Sequence, residues 1–157
     1  MNIHYRRTDR TKRHPRKGAA VTEFALIVPL LTLITMGAID VGQSIIVSQV
    51  INDASREGAR QASRGDTESV GQVNAKVRAF VADAFPNISR DQLSAAVSVD
   101  VQDQSGNAIA GGDLTSVNSG DRVVIRVSVP FGRMALTHFL PGFDQITVQT
   151  TTVMRRE

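Results

Sequence analysis

The stretch RKGAAVTEFALIVPLLTLITMGAIDVG, residues 16 to 42, decides how this chain must be organised. A basic pair and a glycine are followed at once by an apolar run, and one carboxylate, Glu23, sits near the start of that run. From residue 24 to residue 39 there is no charged side chain. With residues 19 to 23 added, the segment reaches about 21 residues; at ~1.5 Å per residue a helix of that length spans roughly 30 Å, the thickness of a hydrocarbon core. A soluble helix this long rarely lacks a polar face. The stretch therefore predicts a transmembrane helix over residues 19–41.

Upstream of it the charge is lopsided. Residues 1 to 18 hold seven of the chain's 18 basic side chains and a single acid, Asp9, whereas the rest holds 11 basic against 14 acidic residues. The chain is thus a slightly acidic protein with a short basic tail. Such a tail can grip nucleic acid or mark the cytoplasmic flank of a membrane segment. The apolar run that follows favours the second, which puts residues 1–18 in the cytoplasm and everything after the helix outside it. No nucleic-acid partner is expected.

Downstream, no small-residue signal-peptidase site follows residue 39, and the helical pattern continues. Val47, Val50, Ile51, Ala54, Gly58 and Ala62 repeat at helical spacing, while Asp53–Arg56 and Glu57–Arg60 are i,i+3 charge pairs. Residues 42–64 read as an amphipathic stem that prolongs the same helix, bent or loosened at Pro29 and ended at Gly65. In the segment Arg56-Glu57-Gly58-Ala59-Arg60 the small residues offer close approach, either to another subunit or to this chain's own C-terminal part.

Residues 65–157 read as a small α+β domain outside the cytoplasm. Asp66 or Thr67 is placed to cap a second helix carrying Val70, Val73, Val77, Phe80, Val81 and Ala84 on one face, and Pro86 ends it. Strands are expected over residues 96–103, 122–131 and 145–154, from the alternation of Val97, Val99 and Val101, of Val123, Ile125, Val127 and Val129, and from Ile146 and Val148 followed by a threonine run. Residues 104–121 are loop-like, and residues 132–141 have room for one helical turn. The second helix packed on a three-stranded antiparallel sheet is the simplest architecture.

Little points to catalysis. There is no Cys, hence no disulfide framework and no thiolate metal site, and His4, His14 and His138 are scattered. No zinc-protease, nucleophile-elbow or phosphate-loop pattern occurs. Residues 103–107 hint at a calcium loop, but Gly106 comes too early for one. No enzyme activity, metal, cofactor or small-molecule substrate is expected. Asn87-Ile88-Ser89 matches a glycosylation triplet, a pattern too common to carry weight.

Gly18, then four residues, then Glu23 and Phe24 at the head of an apolar helix resembles the processing site of type IV pilins. The combination of Gly18, Glu23, Phe24, Pro29, Gly37, Asp40 and Gly42 with the later Arg56-Glu57-Gly58-Ala59-Arg60 is similar to the TadE-like family of pilin-like proteins, which belong to tight-adherence (Tad, or Flp) pilus systems. That resemblance covers residues 16 to 65. It implies a pilin-like fold and cleavage between Gly18 and Ala19 by a prepilin peptidase. It also implies a single-pass position in the bacterial inner membrane, with the other Tad subunits and assembly proteins as partners. Within it Glu23 acquires a reason: a carboxylate in lipid costs a few kcal/mol unless paired, and the amine freed on Ala19 is a natural counter-charge. The competing expectation is an envelope domain held by an uncleaved anchor that binds another protein.

Overall fold

The computed structural model describes residues 17–135, 139 and 141–157. Residues 1–16, most of the basic tail, and His138 lie outside the described residues. The protein is α+β: a long N-terminal helix, two further helices and a three-stranded antiparallel sheet.

The first helix, α1, runs Lys17–Ser63 and continues through Pro29, which has no backbone N–H to donate. Contacts divide the chain into two units, one ending at Thr35 and the other comprising Met36–Glu157. In the first, the described residues are helix alone. The second contains the rest of α1 and all the other elements.

That second unit is built on valine alternation. Strands β1 (Ser98–Gln102), β2 (Arg122–Pro130) and β3 (Thr147–Arg155) pair in the order β1-β2-β3, all antiparallel. On the central strand Val123, Ile125, Val127 and Val129 are buried on one face, while Arg122, Arg126 and Pro130 are exposed on the other. The buried face meets Val47, Ile51, Ala54, Ala59 and Ala62 of α1 and Val73, Val77 and Val81 of the second helix, α2 (Val70–Ala84). Leu93, from a third and short helix α3 (Arg90–Ala96), together with Leu114, Phe131 and Met134, closes the core.

The ladder fixes where backbone groups point. β2 and β3 pair in unbroken register from Arg122↔Arg155 to Pro130↔Thr147. Just past either end, the amide of Phe131 donates to the carbonyl of Ile146 at 2.7 Å and that of Arg156 to Asp121 at 2.9 Å. Bonded and non-bonded pairs alternate in an antiparallel ladder. Val148, Thr150, Thr152 and Met154 therefore bond to β2, and Thr147, Gln149, Thr151, Val153 and Arg155 turn their amides and carbonyls the other way.

Several local expectations are corrected. Gly65 does not end α1 in the left-handed conformation, since it is absent from the positive-φ glycines. Instead each of the four terminal carbonyls of α1, which have no i+4 amide within the helix, finds another donor. The Ser63 hydroxyl donates to Arg60 O (3.0 Å), the Thr67 hydroxyl to Gln61 O (2.7 Å), Arg156 Nη1 to Ala62 O (3.2 Å) and the Glu157 amide to Ser63 O (2.7 Å). Thr67 thus completes α1 rather than starting α2, and Asp66 pairs with Arg64 at 2.8 Å, which holds its carboxyl below the usual range. The cap of α2 is Ser69, whose hydroxyl accepts from the Gln72 amide, while Gln72 Oε1 accepts from the Glu68 amide. Helix α3 falls where only a connection was expected, capped by Ser89 of the supposed glycosylation triplet. The loop over 104–121 holds two short 3-10 turns, Ala110–Gly112 and Leu114–Ser116, and contributes the fully buried Leu114.

Candidate functional site

The apolar half of α1 is uncovered. Side chains from residue 20 to residue 35 are all exposed, with Phe24 at 66% and Leu26 at 74%. The hydroxyls in that run do not need water. Thr22 donates to Gly18 O at 2.9 Å, Thr32 to Val28 O at 2.8 Å and Thr35 to Leu31 O at 2.8 Å. A helix that satisfies its own backbone and its own hydroxyls leaves lipid little to reject. Glu23 is the exception, an exposed carboxylate with no hydrogen bond or ion pair among the described residues. Phe24 stands beside it, Pro29 one and a half turns on, and Ala19 one turn before. Gly18 is also notable: a Cβ there would meet nothing within 4 Å, and its φ is not left-handed, so neither space nor backbone requires glycine.

Asp40 marks the end of the uncharged run, and its side chain is fully buried in the second unit. Its Oδ2 accepts the amide of Phe139 at 2.9 Å, tying the segment after β2 to α1 across 99 positions of sequence. The sequence offers Asp40 only as a motif acid; the signal for its burial is its place one residue beyond Ile39, on a face shared with Val47.

The Arg56–Arg60 segment is split between interior and surface. Gly58 and Ala59 are buried against the domain's own core. Arg56 and Arg60 are exposed. Glu57 is half-buried and accepts from Arg60 Nε (3.0 Å) and Nη2 (2.9 Å), with Lys76 of α2 at 3.7 Å. The Arg60 hydrogen bond, opposed by partial burial, holds the Glu57 carboxyl below its ordinary value. Asp53 and Arg56 make no such pair among the described residues. Further polar links join α1 to β3: Ser55 donates to the Thr152 hydroxyl at 2.8 Å, and the Thr150 hydroxyl to Asn52 Oδ1 at 2.8 Å.

Among the described residues no three His, Cys, Asp or Glu side chains are gathered as a metal would need. An open, mostly apolar cleft of about 240 Å³ lies between Ile46 and Val47 of α1, Phe85 and Ile88 after α2, and Met134. It holds no convergent polar groups that would orient a reacting molecule.

These features define a class: an α+β domain whose first helix begins as an uncovered apolar rod long enough to cross a membrane. Residues 18–60 match the family described as TadE-like protein. The matched segment starts at Gly18 and closes on Arg60, so it contains Glu23, Asp40 and the whole Arg56–Arg60 motif. No curated protein and no solved structure shows significant similarity to this chain.

Proposed function

We propose that the chain is a minor pilin-like subunit of a Tad (Flp) pilus, a structural and assembly protein rather than an enzyme. In this reading the basic tail stays in the cytoplasm and a prepilin peptidase cuts between Gly18 and Ala19. The α+β domain stands outside the inner membrane, where it takes part in pilus biogenesis and surface adherence alongside the other Tad subunits and assembly proteins. The amine freed on Ala19 and the carboxylate of Glu23 then pair across neighbouring helices, which offsets desolvation and fixes the register of otherwise featureless apolar surfaces.

One observation carries the reading. Gly18 is a glycine for which neither the space nor the backbone of the fold provides a reason, five positions before an unmatched carboxylate at the head of an uncovered apolar helix. A peptidase that admits only hydrogen at that position supplies the reason. The uncleaved anchor is the second reading, favoured by the same helix taken without its glycine.

Intact-mass measurement of membrane-extracted protein separates the two. With the peptidase co-produced, the expected species begins at Ala19; without it, or with Gly18→Val, the full-length chain is recovered. Full-length protein in the presence of active peptidase overturns the proposal in favour of the anchor.

A further inference from the structure

We propose that the outer edge of β3 is a docking site for an extended, acidic segment of another protein, which joins the sheet as a fourth strand. The inference is independent of how the apolar helix is used.

The backbone comes first. Gln149, Thr151 and Val153, flanked by Thr147 and Arg155, turn their amides and carbonyls away from β2, and no group among the described residues receives them. An unpaired edge is a template for another strand, and natural sheets usually guard it with proline, a bulge, inward charge or brevity. β3 has none of these: it is nine residues long, TVQTTTVMR, pairs in unbroken register and is charged only at Arg155. The opposite edge is different. β1 has five residues, and the backbone at its two ends is engaged, Val97 N with Leu93 O and Asp103 N with Asn107 O.

Charge selects the occupant. The exposed face beside the free edge carries Arg155 on β3 and Arg122 and Arg126 on β2, with Arg122 and Arg155 directly opposite each other. Like charges so placed repel. None of the three has an ion pair among the described residues. Asp100, which the register sets across from Arg126, accepts instead from Gln102 Nε2 at 2.6 Å. Side chains of an added strand that lie opposite Gln149, Thr151 and Val153 share this face. Acidic residues at alternate positions would therefore meet the arginines while the main chain completes the ladder. A second copy of β3 brings another arginine and no carboxylate, so self-pairing lacks that complement.

The test uses the full chain in detergent and two labelled, end-capped peptides, one of alternating glutamate and threonine and one of alternating lysine and threonine, followed by fluorescence anisotropy. The glutamate peptide is expected to bind in a salt-sensitive way and the lysine peptide not to bind. Thr151→Pro removes an outward amide and no ladder bond, so binding should fall about tenfold or more while far-UV circular dichroism is unchanged. Arg155→Gln should weaken binding severalfold. Amide exchange by NMR gives an independent reading should the proline variant unfold: Gln149, Thr151 and Val153 should exchange fast in the free protein and slow with the glutamate peptide, while Thr150 and Thr152 stay protected throughout. Equal binding of both peptides, unimpaired binding by a folded Thr151→Pro, self-association through β3, or slow exchange at Thr151 in the free protein would each overturn the proposal.

Discussion

Gly58 of α1 and Val77 of α2 are packed so closely that a methyl group on Gly58 would lie 2.5 Å from Cγ2 of Val77, a side chain with no exposed surface. Ile125 Cγ2 and Val73 Cγ1 stand at 3.5 and 3.7 Å behind it. Helix propensity favours alanine over glycine by about 1 kcal/mol, but overpacking a filled core costs about 1–3 kcal/mol. Gly58→Ala should therefore lower stability, by up to about 2 kcal/mol, and Val77→Ala should cost less in that background than in the wild-type chain. Denaturant midpoints of the single and double variants in the same detergent check this; a midpoint that rises for Gly58→Ala would show the contact to be slack.

Arg156 is 6% exposed and donates from one guanidinium to both Ala62 O and Thr67 O, at 3.2 and 3.1 Å. Replacing it with methionine leaves two buried carbonyls without donors, at about 1–3 kcal/mol each, so a loss of about 2–6 kcal/mol is expected. Arg156→Lys should recover only part, because an ammonium is a point donor and not a planar fork. Thermal unfolding of the three proteins decides; full stability in the lysine variant would make the position one of simple charge at a helix C-terminus.

The Glu57–Arg60 pair yields a pH dependence. Because the folded state lowers the Glu57 pKa, the unfolded state takes up the proton more readily. The stabilisation is present above the ordinary glutamate pKa of about 4.3 and is lost as pH falls through the lower folded value. Arg60 is well exposed, so the effect is small. Glu57→Gln should cost about 0.3–1 kcal/mol at neutral pH, less in high salt. The gap to wild type should close in strongly acidic buffer, as read by paired denaturation curves; a gap that widens there would reverse the assignment.

For Glu23→Ala the proposed function implies that membrane insertion is intact or improved, since a carboxylate leaves lipid, and that cleavage after Gly18 largely persists. Association with other subunits should fall by two to three decades, the equivalent of about 3–5 kcal/mol for one broken buried pair. Surface piliation and crosslinking at normal expression are the readouts. Normal piliation by the processed variant would reduce Glu23 to an interfacial residue reaching for headgroups.

How much could be read in advance depended on how many turns or alternations an element offered. The long helix was expected over 19–64 and spans Lys17–Ser63, because an uncharged run followed by a helical repeat leaves few alternatives. The three strands overlap their expected ranges because Val123, Ile125, Val127 and Val129 alternate on β2, with Val124 the one departure. Helix α3 is not legible in the sequence because its seven residues bury only Leu93 and Ala96, too few for a period to register; Ser89, with Gln92 three residues on, is the available sign. Arg156 is illegible for a different reason. Arg155-Arg156-Glu157 reads as solvated charge, and only the end of α1, 94 positions earlier in sequence, makes Arg156 an interior residue. Buried polar partners of this kind depend on tertiary proximity, which no local pattern encodes.

The way α1 is finished by Arg156 and Glu157 also sets a timetable. Its inner surface rests on β2 and β3, and two of its last four carbonyls are met only by residues near position 157. A chain crossing a membrane with its first helix leading would therefore hold Val47, Ile51 and Ala54 without their β3-side neighbours until almost the whole sequence has emerged. Contacts this distant in sequence form late. In the interval the half-finished domain exposes apolar surface and unpaired strand edges, the condition in which chains aggregate. Truncation by even a few residues at the far end would thus be felt first at the end of the first helix.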